Sequence, residues 1–174
     1  YQDRSGMIWV GTINGVDCFN PEIAAFAHFY SDPKNPDGLV HNAVYSMYVD
    51  KAGTVLIGTE GGLDKWDRSR STFTHYRHDA SNSGSLGENL VQCILEDESG
   101  SLWLGTQSSG IDRLDRTRGT FIRLRHDPRN PKSLSDNRIY ALLEDRRGEI
   151  WIGTNGGGLN RLDRKTNTFK VYTH

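Results

Sequence analysis

The chain is poor in most of the features that announce chemistry, and each shortage removes a class of function. It has 2 cysteines in 174 residues, Cys18 and Cys93. They fall at unlike places in the repeat described below, Cys18 where other copies carry Lys65, Arg113 and Arg161, and Cys93 where they carry Ser46 and Ala141. A bridge would require two such positions to approach within about 7 Å between Cα atoms. No disulfide is expected, and the cysteine count says little about redox compartment. A net charge of −1 supplies no basic field for nucleic acid or an anionic membrane surface. No apolar run approaches the roughly 18–20 residues that span a bilayer, and no charged-then-apolar leader opens the chain, so direct membrane insertion of this segment is not expected.

Catalytic signatures are equally scarce. There is no Gly-x-Ser-x-Gly elbow, no His-rich metal motif and no phosphate-binding loop leading into a helix. The glycine run Gly156-Gly157-Gly158 joins two strands and lacks the helix N-terminus that phosphate binding exploits. No catalytic residue, metal or cofactor is expected. His78 and His126, one repeat apart, have no cysteine or carboxylate at ligand spacing and read as loop structure.

What the sequence has is periodicity. Gly148-Glu149-Ile150-Trp151-Ile152-Gly153-Thr154 has near-copies at Gly6 to Thr12, Gly53 to Thr59 and Gly100 to Thr106. The glycines of the Gly-Thr pairs are spaced by 47, 47 and 48 residues, a period of solenoids and propellers. Within a period the signals are four short strands. In the last copy they are Arg138 to Glu144, the Trp-containing strand, Leu159 to Asp163, and Phe169 to Tyr172. Asp145-Arg146-Arg147-Gly148 makes a tight turn, and the period-2 alternation of Phe169 to Tyr172 marks a half-buried strand. Four antiparallel strands in a unit of this length make a propeller blade. The expected fold is all-β, with blades at 1–42 (innermost strand lacking), 43–89, 90–137 and 138–174. Tyr1-Gln2-Asp3 aligns with Leu95-Glu96-Asp97 in mid-repeat, so the chain reads as part of a larger ring, with four-blade closure as the alternative.

Trp9, Trp103 and Trp151 sit in apolar strands and are expected between blades, as are Phe26, Phe73, Phe121 and Phe169. Asp50, Asp97 and Asp145 read as turn-capping residues. In an up-and-down meander the second-to-third bend shares a face with the long link to the next blade, here 32–42, 78–89 and 126–137. That face is the candidate binding face, since function concentrates on loops carried by a rigid scaffold. Its candidate residues differ among copies: His41, Glu88 and Asp136 before the innermost strands, Glu60, Gln107 and Asn155 after the Gly-Thr pairs, and Gln92 and Arg138 at the innermost strands.

The combination Asp-x-x-Gly-x-hydrophobic-Trp-hydrophobic-Gly-Thr, Gly-Gly-Gly-Leu-Asn-Arg-Leu-Asp and His-Asp-Pro-x-Asn-Pro-x-Ser-Leu-Ser-x-Asn resembles the two-component regulator propeller repeats. The resemblance implies a seven-bladed propeller, often one of two in tandem, on the periplasmic or extracellular side of a bacterial inner membrane. Such propellers precede an immunoglobulin-like connector, a membrane helix and a kinase or cyclase. It further implies sensing through polysaccharide fragments or domain rearrangement, and it carries over no catalytic motif. Copies drift from the pattern: Leu56 replaces Trp, and Gln107-Ser108-Ser109-Gly110 replaces the glycine run. The expected function is a sensor propeller binding a small molecule or oligosaccharide. The alternatives are a structural platform for self-association or for a neighbouring propeller domain and, least favoured, a propeller lyase or hydrolase with His41, Glu88 and Asp136 near the axis.

Overall fold

The computed structural model describes residues 1–173. Fifteen strands form four antiparallel sheets, one of three strands and three of four, with sequential neighbours paired throughout. The first blade comprises β1 (Ile8–Thr12), β2 (Gly15–Asn20) and β3 (Ala25–Phe29); the second β4 (Val44–Val49), β5 (Val55–Thr59), β6 (Leu63–Asp67) and β7 (Thr72–Tyr76). The third comprises β8 (Val91–Glu96), β9 (Leu102–Thr106), β10 (Ile111–Asp115) and β11 (Thr120–Leu124). The fourth comprises β12 (Ile139–Glu144), β13 (Ile150–Thr154), β14 (Leu159–Asp163) and β15 (Thr168–Tyr172). The innermost strands β4, β8 and β12 lie side by side. In the first blade only Gln2 bridges to Ile8, with Tyr1 and Trp9 exchanging backbone hydrogen bonds, in the place of an innermost strand. No helix among the described residues is long and apolar enough to cross a membrane.

Three apolar clusters hold the blades, and all are built alike. The Trp face of each blade packs on the aliphatic pair of the next: Trp9 and Cys18 on Val55 and Ile57, Leu56 and Leu63 on Leu102 and Leu104, Trp103 and Ile111 on Ile150 and Ile152. Burying each of these aliphatic side chains contributes about 1.5–3 kcal/mol, so the junctions dominate stability. The Gly-Thr signature is explained at the same junction. A Cβ on Gly105 would fall 2.6 Å from Ile139 Cγ2, and one on Gly58 2.9 Å from Val91 Cγ1, so glycine lets the next innermost strand approach.

The tight-turn face is locked by charge. The carboxylate of Asp97 accepts the Ser101 backbone N–H at 2.9 Å and the Trp103 indole N–H at 2.8 Å, and Arg164 of the following blade sits 3.2 Å away. Asp3 and Asp145 hold Trp9 and Trp151 in the same way. Where Leu56 replaces the indole, Arg116 takes the free oxygen of Asp50 at 2.9 Å. Arg116 also pairs with Glu96, and Arg164 with Glu144; these glutamates reach back to the backbone N–H groups of Lys51 and Glu98 in the preceding blade. Gly53, Gly100 and Gly148 complete these turns at positive φ.

Two expectations are corrected: Phe26 and Trp151, both expected between blades, lie on end faces that no other blade covers. Phe73, Phe121 and Phe169 are buried at 6% exposure each, whereas Phe26 is 74% exposed. It lies on the aliphatic face of the first blade with Ile8 and Val10, and no blade covers that face. The opposite face of the fourth blade is uncovered likewise, leaving Leu143, Leu159 and Tyr172 exposed and Trp151 only half-buried. Both cysteines are free; burial pushes the Cys93 thiol up to about 12, so it is unreactive at neutral pH.

Candidate functional site

The long links are built the same way three times. Leu39, Leu86 and Leu134 plug into the blade that follows each link. The N–H of the next residue is taken from below: Val40 by Asp64, Gly87 by Asp112 and Ser135 by Asn160. Asn42, Asn89 and Asn137 close each link by accepting the N–H of Ser31, His78 and His126. His78 and His126 bond the Leu86 and Leu134 carbonyls through Nδ1, which fixes them as loop structure. The links are therefore anchored, and their ends are presented at fixed positions around the innermost strands.

Each innermost strand then breaks register at its second residue. The irregularities lie between Val44 and Ser46, Val91 and Cys93, and Ile139 and Ala141. A bulge leaves one residue unpaired and re-aims its side chain. The residues so displaced are Tyr45, Gln92 and Tyr140, with Tyr45 47% and Tyr140 52% exposed. The small residue that follows, Ser46, Cys93 or Ala141, sits opposite the glycine of the Gly-Thr pair.

The eight candidate residues gather into one group per blade. In the second blade, the Glu60 N–H bonds the Ala43 carbonyl, and His41 Nδ1 accepts the Ala43 N–H at 3.1 Å. In the third, Gln107 N–H bonds Leu90, Glu88 accepts the Ser108 N–H at 2.6 Å, and Gln92 occupies the bulge. In the fourth, Asp136 and Arg138 pair at 2.9 Å, Arg138 also donates to the Asn155 carbonyl, and the Asn155 amide reaches the Tyr140 hydroxyl at 3.4 Å. The hydrogen bond from Arg138, outweighing a slight burial, holds the Asp136 carboxyl below the ordinary range, and Asp136 raises Arg138 in turn.

Tyr45 and Tyr140 were not among the sequence candidates. Their signal was available in principle: each bulky residue precedes a small residue that must face glycine, one position out of phase with simple alternation. These groups are open to solvent. The described clefts lie elsewhere, one of about 560 Å³ beside Lys132, Glu149, Arg161 and Lys170, another of about 300 Å³ beside Trp9, Phe29 and Trp66. Among the described residues no group of three or more His, Cys, Asp or Glu side chains is placed to hold a metal ion.

A family model described as the two component regulator propeller matches residues 38–61, 85–108 and 133–156. The three matched segments are similar to two-component regulator propeller repeats. Each repeat runs from the link plug through the bulged innermost strand and the Asp-capped turn to the Gly-Thr bend. Solved structures share the fold. The extracellular domain of a B. thetaiotaomicron protein described as a hybrid two component system is 24% identical with a TM-score of 0.88, the match covering 100% of this chain and 24% of that one. A second B. thetaiotaomicron extracellular domain, described as that of a one component system, is 24% identical with a TM-score of 0.81, over 98% of this chain and 24% of the other. Virginiamycin B lyase from Staphylococcus aureus is 14% identical with a TM-score of 0.71, over 100% of this chain and 54% of the enzyme. At these identities the likeness carries the fold alone. The chain spans about a quarter of the length of the two extracellular domains. A comparison with curated protein sequences returns no match.

Proposed function

We propose that this segment is part of an extracytoplasmic sensor propeller and binds a small molecule or oligosaccharide on its axial long-loop face. The observation that carries the reading is the pair of bulged tyrosines, Tyr45 and Tyr140, exposed on β4 and β12, the innermost strands either side of β8, beside polar groups that differ from blade to blade. Aromatic faces stack on apolar ring surfaces, while Glu88, Gln92, Asn155 and the Asp136–Arg138 pair offer donors and acceptors to hydroxyl groups. Identical blades would bind identical groups; three unlike polar sets around two tyrosines suit one asymmetric ligand. Two extracellular signalling-protein domains with the same fold support the placement. On this reading the segment binds and does not convert its ligand, and binding acts by biasing how neighbouring domains or chains pack. Titration of the chain with a panel of neutral oligosaccharides, followed by calorimetry, tests it. Tyr140→Ala should weaken a hit at least about tenfold, in line with the ~1–3 kcal/mol of a buried polar or stacking contact. A hit indifferent to both Tyr45→Ala and Tyr140→Ala would overturn the site.

A second reading, a platform for self-association, is favoured by the uncovered end faces. The exposed aliphatic pair Ile8 and Val10 and the half-buried Trp151 are the two halves of the junction used inside the chain. A second copy docking head to tail would bring them together, and the solution mass of the chain by light scattering reports whether it does.

A further inference from the structure

Position for position, three blades anchor their links with the same strand residue but three different partners. In the third blade Asp112 is fully buried, takes the Gly87 N–H at 2.7 Å and is paired by Arg123, which also donates to the Ser85 carbonyl of the link. In the fourth the acid is replaced by Asn160, whose neutral amide needs no cation, and the cross-strand partner is Val171. In the second, Asp64 is fully buried, takes the Val40 N–H at 2.9 Å, and its cross-strand partner is His75. His75 presents Nδ1 to Asp64 at 2.6 Å and Nε2 to the Pro36 carbonyl at 2.9 Å. The Pro36 carbonyl can only accept, and Asp64 accepts when ionised: burial raises its carboxyl, and the bond from His75 pulls it back down. With both partners accepting, both ring nitrogens donate, and only the imidazolium carries two N–H groups. His75 therefore does the work of Arg123 with a charge that can be removed.

We propose that His75 is a protonation latch: charged, it holds link segment 36–40 onto the second blade, and on losing its proton it releases that segment while the links of the third and fourth blades stay fixed.

The charged groups acting on His75 are Asp64, across the strand pair, and Arg77 further along its own strand direction. The link contributes the Pro36 carbonyl and the exposed Asp37, whose own carbonyl goes to the Phe73 N–H; β5 contributes the apolar Ile57, opposite Asp64. Burial pulls the imidazole down, but the hydrogen bonds to Asp64 and Pro36 outweigh it and leave His75 above its ordinary value of 6.5. Since the folded value is the higher one, the anchoring is complete below about 6.5 and is lost as pH rises through the raised value. Deprotonation leaves the ring one N–H, which stays on Nδ1 toward Asp64; Nε2 then turns a lone pair on the Pro36 carbonyl, so the bond to the link is lost, and the buried Asp64 carboxylate loses its counter-charge, which is costly. The segment released ends beside His41, so the axial edge of the second blade moves while its neighbours do not. This holds whether or not the axial face binds a ligand.

Amide hydrogen exchange on the intact chain by NMR tests the latch with an internal control. The protection of the Val40 amide, divided by that of the Gly87 amide, should fall about tenfold as pH rises through the His75 titration, the size expected for loss of a charge-assisted anchor. His75→Arg should make the ratio independent of pH, and His75→Gln should hold it low at every pH. The His75 ring signal of the native chain should titrate above 6.5. A constant ratio in the native chain, a pH-dependent ratio in His75→Arg, or a ring titrating at or below the ordinary value would each overturn the proposal.

Discussion

The indole N–H of Trp103 donates to Asp97 Oδ2 at 2.8 Å, both residues almost wholly buried, and Arg164 of the next blade closes on the same oxygen at 3.2 Å. One carboxylate thus joins a turn, a core aromatic and an inter-blade ion pair. Burial raises the Asp97 carboxyl, but bonds from Ser99, Trp103 and Ser101 together with Arg164 carry it below its ordinary 3.8. A depressed acid stabilises the fold above its unfolded value and loses that contribution as pH falls through its folded value. Asp50, with Arg116, is depressed in the same way. Acid unfolding should therefore begin below about pH 4. Asp97→Ala should cost about 3 kcal/mol, since it leaves the buried indole N–H unpaired, frees the turn backbone and removes one of the two carboxylates that hold Arg164, and should flatten the acid limb of stability measured by urea unfolding against pH. Asp145→Ala, at the counterpart on the uncovered fourth blade, should cost clearly less than Asp97→Ala.

The glycines of the Gly-Thr pairs give a sharper contrast. A Cβ on Gly105 would meet Cys93 of its own blade at 2.5 Å and Ile139 of the following blade at 2.6 Å, whereas a Cβ on Gly153 would meet only Ala141 at 3.6 Å. Gly105→Ala should destabilise by about 2–3 kcal/mol through overpacking, and Gly153→Ala should be nearly neutral. Thermal unfolding of the two variants decides this. Equal effects would mean that glycine serves the local strand pairing, and not the approach of the next blade.

The turn between the third and fourth strands of each blade places one residue in the left-handed region: Ala24, Ser71, Gly119 and Asn167, with φ between 51° and 67°. Only one copy uses glycine there. Ser71→Gly and Ala24→Gly should each stabilise by about 0.5–1 kcal/mol, the relieved strain less the extra chain entropy of glycine. Denaturant midpoints read the gain; a loss at both positions would show that those side chains contribute more than their strain costs.

Periodicity is the part of this protein that its sequence determines alone. The spacing of the Gly-Thr pairs, the alternation within strands and the Asp-x-x-Gly turns set the fifteen strands and the all-β blades, because strand and turn preferences are local. The spacing from Asp97 to Trp103 even contains their hydrogen bond, since a tight turn folds the indole back over the carboxylate. The candidate residues stand out in the sequence as variable positions in the links, after the Gly-Thr pairs and at the innermost strands, and the structure gathers them blade by blade. What lay outside local reasoning depends on neighbours in space. Phe26 matches three buried phenylalanines in sequence yet is exposed, because burial is decided by whether another blade covers the sheet. Tyr45 and Tyr140 face outward because the innermost strands bulge to bring a small residue opposite glycine. The charge of His75 follows from two acceptors, one across the sheet and one on the link, that only the folded chain brings to the same ring.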